Sequence, residues 1–282
     1  MSHVSRSVVY DWLRHDKKFP HVWCPGCGLG ILLGSLVRAF VKSDLDKDNI
    51  ILVSGIGCSG RLPVYVDVGS VHTTHGRALT FATGLKLAKP ELKVITIMGD
   101  GDAMAIGGNH LIHAARRNLD IVAIIVNNQT YGMTGGQCSP TTPLGAKATT
   151  ALFGQIEPSF DVSALCAAAG AAFVARSTVF HVDQMDRLLV KAIAKPDFSV
   201  VEILSPCYVN FGRLNRQASQ IEMMKQFRQM GVVIERWEKM SEAERAGRFP
   251  LGVLVEKELP RYLDSYKQVC DTAAKLRTAG KI

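Results

Sequence analysis

Two cysteines lie two residues apart in the stretch HVWCPGCGLG (residues 21–30), flanked by a proline and three glycines. Thiols at the spacing of Cys24 and Cys27 can hold zinc or an iron–sulfur cluster, or can form a redox-active dithiol. Two thiolates are an incomplete ligand set for either metal centre, so further ligands are required. Taken alone, the pair favours zinc or a dithiol over a cluster.

Two more cysteines follow predicted strands. Cys58 comes after the apolar run IILVS, and Cys207 comes after SVVEIL. Because the carboxyl ends of parallel strands meet at one edge of a sheet, we expect these two thiols at the same edge. Four thiolates beside a redox cofactor would suit a [4Fe–4S] cluster that removes electrons, whereas zinc there would be redox-silent.

An acid flanked by glycines, in Gly99-Asp100-Gly101, follows the predicted strand KVITIM, and 25 residues separate it from Asn127-Asn128 at the end of the next strand. The glycines let a diphosphate approach the backbone, and the following helix offers free N–H groups. Asp100 with an Asn amide oxygen supplies the hard ligands that Mg²⁺ prefers. The paired elements resemble the thiamine-diphosphate-binding motif, which implies that Asp100, Asn128 and the Thr130 carbonyl hold Mg²⁺.

The elements that must position these groups alternate along the first two-thirds of the chain. Short β-branched runs alternate with helical stretches, a pattern typical of a parallel sheet buried on both faces, so we predict an α/β fold. The predicted strands are 50–54, 93–98, 120–126, 172–176 and 199–204. The predicted helices are 28–42, 75–89, 103–117, 162–169 and 182–194.

The pattern changes beyond about residue 210. The stretches NRQASQIEMMKQFRQM and EKELPRYLDSYKQVCDTAAKLRTAG are typical of amphipathic helices, joined by the polar EKMSEAERAGRFP. We therefore predict a domain of residues 1–210 that holds the diphosphate and cysteine sites. Residues 211–282 are predicted to form a helical C-terminal tail, packed on the domain or on another chain.

Six motifs in order resemble the β subunit of a 2-oxoacid:ferredoxin oxidoreductase over about residues 20–210, and the tail is similar as well. The motifs are WCPGCG, GIGCSG, HTTHGRA, GDGDAMAIGGNH, NNQTYGMTGGQ and SPC. The resemblance implies a thiamine-diphosphate-binding fold of the pyrophosphate-domain type, with Mg²⁺ and a proximal [4Fe–4S] cluster. The implied cluster ligands are Cys24, Cys27, Cys58 and Cys207. The other cysteines match no motif and are expected to be plain thiols.

The resemblance also implies which further residues approach the cofactor. His75 of HTTHGRA is the predicted catalytic side chain near the cofactor, although a histidine at a helix start is more often a capping or surface residue. The first half of the loop QTYGMTGGQCSPTTPLGAK is expected to wrap the diphosphate, with Met133 as an apolar support or else a core residue. The predicted cofactor-binding residues are Gly57, Cys58, Ser59, His75, Gly76, Gly99, Asp100, Gly101, Asp102, Asn128, Thr130, Gly132, Met133 and Thr134.

Arg61 lies three residues beyond Cys58, where the resemblance puts side chains that face the substrate. A guanidinium binds a carboxylate through two parallel hydrogen bonds, which favours a dicarboxylic 2-oxo acid, 2-oxoglutarate, over pyruvate. A solvated surface charge is an equally open interpretation of Arg61, so pyruvate and other 2-oxo acids remain alternatives.

The composition excludes several classes of protein. The 282 residues are 47% hydrophobic and 21% charged, as in an ordinary globular chain. The N-terminal residues lack the apolar segment of a signal peptide, and no apolar run has the length of a membrane span, so we predict a cytoplasmic protein without a membrane partner. The net charge of +8 is scattered and not interleaved with aromatic residues, which argues against nucleic acid.

The resemblance implies partners as well as cofactors. The acid that tautomerises the aminopyrimidine belongs, in the family, to an α subunit, so this chain alone is expected to be inactive and to form an αβ unit, paired again as (αβ)₂. A 2-oxo acid and coenzyme A are the implied substrates and ferredoxin the electron acceptor, with reductive carboxylation as the reverse direction. The alternatives are a non-redox thiamine-diphosphate decarboxylase or synthase subunit and a zinc-stabilised binding module.

Overall fold

The computed structural model describes residues 6–16, 19–217 and 219–279, and these form one eight-stranded sheet covered by helices on both faces. The strands are β1 (Ile50–Ser54), β2 (Gly69–His72), β3 (Lys93–Gly99), β4 (Ile121–Asn127), β5 (Phe173–Thr178), β6 (Ser199–Leu204), β7 (Gly231–Val233) and β8 (Phe249–Glu256). Their order across the sheet is β2-β1-β3-β4-β6-β5-β8-β7. Neighbouring strands are parallel except β5 and β8, which are antiparallel.

The helices follow the strands in an α/β alternation. They are α1 (Arg6–Asp11), α2 (Leu29–Lys42), α3 (Ala78–Ala88), α4 (Gly108–Arg117), α5 (Val162–Ala168), α6 (Val182–Ala194), α7 (Gln220–Met230), α8 (Ile234–Trp237), α9 (Glu242–Arg245) and α10 (Tyr262–Thr278). Short 3₁₀ turns cover Lys47–Asn49 and Ser59–Val64, and π-helical turns cover Asp102–Ile106 and Tyr208–Gly212. In the described part of the chain no helix is both long and apolar enough to cross a bilayer.

Alternation along the central strands builds two cores, one on each face of the sheet. In β4, whose seven residues are all buried, Ile124 packs with α2 and α6. Its neighbour Ile125 packs with α3, α4 and α5 on the other face. Burial of each such side chain contributes about 1.5–3 kcal/mol, which is why apolar residues occupy both faces of these strands.

The predicted α/β class and the five predicted strands are confirmed, with strand bounds within two residues of those expected. The helix predicted for 75–89 begins only at Ala78. The helix predicted for 103–117 divides into the π-helical turn and α4. A π-helical turn at the carboxyl end of β3 is notable because such turns are frequent at functional sites.

The prediction that residues 211–282 are purely helical is wrong. This segment contributes β7 and β8, and β8 pairs antiparallel with β5, so the sheet continues past residue 210. Two features obscured β8 in the sequence. Pro250 and Gly252 interrupt its apolar run, and Gly252 has φ +116, a conformation that side-chain-bearing residues rarely adopt.

Candidate active site

Four adjacent strands, β1, β3, β4 and β6, end at the same edge of the sheet, and each leads into a segment that carries a predicted site residue. Cys58 follows β1, Asp100 follows β3, Asn128 follows β4 and Cys207 follows β6. β4 and β6 are neighbours although they are not consecutive along the chain. The topology therefore brings the oxygen ligands and two of the four thiols to one edge.

Three oxygens converge where a cation could bind. The Oδ1 atom of Asn128 lies 2.7 Å from the carbonyl oxygen of Thr130 and 3.1 Å from Oδ1 of Asp100. Its only hydrogen-bond donor is the Thr130 N–H, at 3.4 Å. Rotating the amide would let its nitrogen donate to both oxygens, but adjacent oxygens of an octahedral Mg²⁺ at 2.0–2.1 Å are also about 2.9 Å apart. Both separations of the Asn128 oxygen are close to that value, which is compatible with Mg²⁺ ligation by these groups.

Asp100 is buried at the centre of this arrangement, with 1% of its surface exposed. Burial raises the pKa of its carboxyl group, and hydrogen bonds from Ser139 and Thr141 oppose that effect. The Thr141 hydroxyl donates to Oδ2 at 2.6 Å, which leaves Oδ1 facing Asn128. Oδ2 is thus held by Thr141, whereas Oδ1, which accepts a long 3.5 Å hydrogen bond from the backbone N–H of Asn128, is directed at the possible cation.

Asp102 organises the rim of the same site. Its Oδ1 accepts a 2.6 Å hydrogen bond from the backbone N–H of Gly76, whose φ of +72 favours glycine. The Nδ1 atom of His75 also lies 2.7 Å from Oδ1, without hydrogen-bond alignment, and Oδ2 is buried without a partner. Burial raises the pKa of Asp102, while the Gly76 N–H and His75 act in the opposite direction. Asp102 therefore fixes the loop that presents His75.

A cavity of about 130 Å³ lies against these groups. Thirteen of the fourteen predicted cofactor-binding residues line it, and the remaining one, Gly76, is the donor to Asp102. Ile56 and Tyr131 also line the cavity. Nothing in the sequence marks Ile56. The Tyr131 hydroxyl donates to the carbonyl of Gly101 at 3.2 Å, and a Cβ on Gly101 would collide with the tyrosine ring. Gly101 is therefore needed for close packing as well as for approach to a diphosphate.

A second, larger cavity of about 440 Å³ adjoins the first. Four residues line both cavities: Cys58, Asn128, Gly132 and Met133. The larger cavity is lined by all four predicted thiol ligands, namely Cys24, Cys27, Cys58 and Cys207, and by Arg61. Met133 is half exposed at the shared wall and not in the core.

Two hydrogen bonds tie the segment that carries Cys24 and Cys27 to this edge of the sheet. The Trp23 indole N–H donates to the carbonyl of Cys58 at 2.7 Å, and the Ser205 hydroxyl donates to the carbonyl of Cys27. Burial and the neighbouring thiols raise the pKa of Cys58 to about 11, and burial also raises the pKa values of Cys27 and Cys207. Within the described residues, no three His, Cys, Asp or Glu side chains are placed to hold a single metal ion.

Comparisons with known proteins identify the chain. Residues 55–203 match the model of the C-terminal thiamine-pyrophosphate-binding domain of thiamine pyrophosphate enzymes. The chain is 46% identical over 261 residues to 2-oxoglutarate synthase subunit KorB of Methanothermobacter marburgensis, covering 93% of this chain and 91% of that protein. It is 34% identical over 293 residues to subunit beta of 2-oxoacid:ferredoxin oxidoreductase 2 of Aeropyrum pernix, covering 97% and 95%. The chain is a β subunit of the 2-oxoacid:ferredoxin oxidoreductase family.

The fold of this β subunit matches a solved relative along most of its length. The structure of 2-oxoglutarate:ferredoxin oxidoreductase from Magnetococcus marinus, with 2-oxoglutarate, coenzyme A and succinyl-CoA bound, superposes with a TM-score of 0.83 at 30% identity. The match covers 94% of this chain and 90% of the other. The predicted family, enzyme class and fold are confirmed, whereas the role of each site residue stays a prediction.

The three cysteines outside the six motifs lie apart from the residues that line the two cavities of this β subunit. Cys166 is fully buried on α5, Cys270 is exposed on α10, and Cys138 is part-buried in the loop after β4. Burial raises the pKa of Cys166 far above the usual range for a thiol, so it remains protonated. That all three are plain thiols stays a prediction.

Proposed function

We propose that this β subunit holds thiamine diphosphate with Mg²⁺ in the smaller cavity and a [4Fe–4S] cluster in the larger one. With an α subunit it would convert 2-oxoglutarate and coenzyme A to succinyl-CoA and CO₂ and pass two electrons to ferredoxin. One observation carries the proposal: the two cavities share a wall made by Cys58, Asn128, Gly132 and Met133. When bound, the thiamine cofactor supplies the carbanion chemistry for decarboxylation, and the cluster accepts electrons singly.

The residues of the smaller cavity would bind and orient the cofactor. Asp100, Asn128 and the Thr130 carbonyl would hold Mg²⁺, because the Asn128 oxygen lies 2.7 Å and 3.1 Å from the other two oxygens, close to the spacing of Mg²⁺ ligands. The backbone on either side of Asp100 faces the diphosphate where glycines leave room. His75 stands at the rim with its side chain about one-third exposed, so it can contact both cofactor and substrate.

The thiols of the larger cavity fit a cluster better than a single zinc ion. Zn²⁺ with Zn–S bonds of about 2.3 Å draws four sulfurs to within about 3.8 Å of each other, and the described side chains form no such group. A cubane takes one thiolate on each of its four irons, which suits four cysteines that line one cavity of about 440 Å³. The three thiols with raised pKa values would lose their protons on binding.

Arg61 is the proposed contact for the distal carboxylate of the substrate. Its side chain is exposed and lines the larger cavity, next to the wall shared with the cofactor cavity. A guanidinium there can bind a carboxylate with two hydrogen bonds. Several relatives are named for 2-oxoglutarate, and the solved relative has 2-oxoglutarate bound, which agrees with a dicarboxylic substrate.

Residues 144–156, in the second half of the loop after β4, are a candidate contact for the proposed α subunit. Backbone hydrogen bonds join the two ends of this segment, including Gly145 N to Gln155 O at 2.7 Å. Thr149 N donates to Gly136 O in the first half of the same loop. The apolar side chains of this segment point outward, with Phe153 fully exposed and Ile156 87% exposed. An exposed apolar surface next to the proposed cofactor cavity is typical of a subunit contact, which supports an αβ unit. The proposed pairing of two such units as (αβ)₂ stays a prediction.

The proposal is tested by the composition and activity of the complex purified anaerobically with its α subunit. We expect one thiamine diphosphate, four iron and four sulfide attributable to each β subunit, and ferredoxin reduction that requires both 2-oxoglutarate and coenzyme A. Thiamine diphosphate without iron would indicate a non-redox enzyme, and zinc without thiamine diphosphate would overturn the proposed activity. Full turnover by the isolated β chain would overturn the need for the α subunit.

A further inference from the structure

The second half of the long loop after β4 packs against Asp100, one of the proposed metal ligands. Ser139, Thr141 and Thr142 of this half are buried, and Thr141 Oγ1 lies 2.6 Å from Oδ2 of Asp100. The Ser139 hydroxyl lies 3.1 Å from the same Thr141 oxygen and also hydrogen-bonds Asp100. This segment is 39 residues from Asp100 in the chain at its nearest point, so the contact is made by the fold and not by a local motif.

The direction of the Thr141 hydroxyl is determined by its surroundings. Its single proton has three possible acceptors, Oδ2 of Asp100 at 2.6 Å, Oδ1 of Asn127 at 3.0 Å and the Ser139 hydroxyl oxygen at 3.1 Å. Asn127 already receives a hydrogen bond on Oδ1 from the backbone N–H of Gln129, at 3.3 Å. The shorter distance and the charge of a carboxylate acceptor both favour donation to Asp100.

The orientation of Asn127 is fixed in turn by Glu202 of β6. The Nδ2 group of Asn127 donates to Oε1 of Glu202 at 2.8 Å, so its oxygen must face Thr141. Glu202 is 1% exposed, and its other oxygen accepts from Ser163 at 2.7 Å and from Arg176 at 2.8 Å. A buried row of polar contacts therefore runs from Arg176 to Asp100, and its only link without a hydrogen bond among these residues is Thr141–Asn127 when the Thr141 proton lies on Asp100.

We propose that Thr141 is a positioning residue for the magnesium site: its hydroxyl occupies Oδ2 of Asp100, so that Oδ1 alone faces the cation. The inference rests on the proposed function, because it assumes that Asp100 ligates Mg²⁺ beside thiamine diphosphate. Removing a residue that holds a metal ligand in one orientation commonly lowers metal affinity about 10- to 100-fold. Asn127, held by Glu202, presents only a neutral and more distant acceptor to Thr141, so the Asp100 carboxylate remains the preferred acceptor.

The test uses the αβ complex freed of metal with a chelator and incubated with a fixed concentration of thiamine diphosphate. The thiamine diphosphate retained after rapid desalting is measured as Mg²⁺ is increased. For Thr141→Val, we expect half-maximal retention to need about 10- to 100-fold more Mg²⁺. Thr141→Ser keeps the hydroxyl and should restore the wild-type midpoint. If valine does not fold, Thr141→Ala removes the same hydroxyl and carries the same expectation.

A matched control separates positioning from general loss of packing. Thr96 is a fully buried threonine on β3 whose hydroxyl has no partner, so Thr96→Val removes a hydroxyl of equal size four residues from Asp100. Its Mg²⁺ midpoint should match wild type, whereas only Thr141→Val should lower the melting temperature without metal, because only that change removes a hydrogen bond to a buried carboxylate. An unchanged midpoint in Thr141→Val, or an equal shift in Thr96→Val, would overturn the inference. If the wild-type complex retains the same amount of thiamine diphosphate at every Mg²⁺ concentration, the proposed magnesium site itself would be overturned.

Discussion

The two adjoining cavities are built in different ways. In the smaller one, the oxygen ligands come from strand ends and are held by buried hydrogen bonds: Asp100 is 1% exposed and Thr130 is 5% exposed. In the larger one, the thiols come from three separate segments, before α2, after β1 and after β6. Cys24 is exposed, and the other three ligands are of intermediate exposure.

This difference follows from what each site is proposed to bind. Mg²⁺ demands near-ideal octahedral geometry, so a site that is already arranged loses less free energy on binding. An iron–sulfur cluster brings its own rigid geometry, so its thiols need only border a cavity of suitable size. The protein therefore fixes the oxygen site in advance, whereas the cluster would draw the three cysteine segments together. Variants that empty one cavity and leave the other filled are the direct test of this distinction.

The largest effect is expected from Cys58→Ala. Cys58 lines both cavities, and the role proposed for its thiol is to bind iron of the cluster. The αβ complex should lose its β-subunit cluster and its ferredoxin reduction, while it retains thiamine diphosphate as wild type does. Cys138→Ala, at a thiol that lines neither cavity, is the control and should keep both groups. Loss of thiamine diphosphate together with iron would show that the two cavities are not separable.

The converse variant is Asp100→Asn, which keeps the shape of the side chain and removes its charge. Loss of an anionic metal ligand should cost more than the 10- to 100-fold typical of a supporting residue, so thiamine diphosphate retention at a given Mg²⁺ concentration should fall by about 100-fold or more. Iron and sulfide per β subunit should remain at the wild-type value. Wild-type retention by this variant would contradict the assignment of Asp100 as a ligand.

The contrast between the cavities also explains what could be predicted from the sequence. The smaller cavity depends on GDG, NN and the ends of consecutive strands, which are local patterns, and the residues predicted from them line one cavity. The buried partners of Asp100 were not predicted. Thr141 reaches Asp100 through the fold of the loop after β4, and Glu202 reaches Asn127 through the pairing of β4 with β6, so neither contact is local in the sequence.

The unpredicted strand at the far edge of the sheet has a similar cause. A strand is stabilised by its neighbours, and β8 pairs antiparallel with β5 through a register shift between Val174 and Ala175. Its proline and positive-φ glycine are unfavourable in isolation but are tolerated near a sheet edge. Local propensity therefore fails where tertiary pairing determines the structure.

A smaller effect is expected from Arg61→Met, which removes the proposed carboxylate contact but keeps an apolar stem. Charge-assisted hydrogen bonds contribute about 1.5–3 kcal/mol, so the KM for 2-oxoglutarate should rise about 10- to 100-fold, with little change for pyruvate if pyruvate is turned over at all. Arg187→Met, at an exposed arginine of α6, is the control. An equal rise in KM for both substrates would remove Arg61 from substrate selection.

The smallest effect concerns the pKa of Cys58 in protein from which the cluster has been removed. Because burial and the other thiols raise this pKa from 9.0 to about 11, the protonated form dominates at neutral pH. A thiol with this pKa is about 0.1% thiolate at pH 8, so its alkylation rate should rise about tenfold per pH unit up to about pH 10. The alkylation rate of a reference cysteine peptide levels off near the ordinary thiol pKa of 9.0, and this gives the reference curve. The alkylation rate of Cys58 is followed by mass spectrometry of the protein fragment that contains it. This rate should keep rising at pH values where the alkylation rate of the reference peptide no longer does.

Cluster assembly needs the same thiolate and should accelerate with pH in the same direction. A Cys58 rate that levels off with the peptide would mean that the larger cavity is open to solvent without its cluster. In that case the cysteine site differs from the oxygen site even more than the geometry indicates.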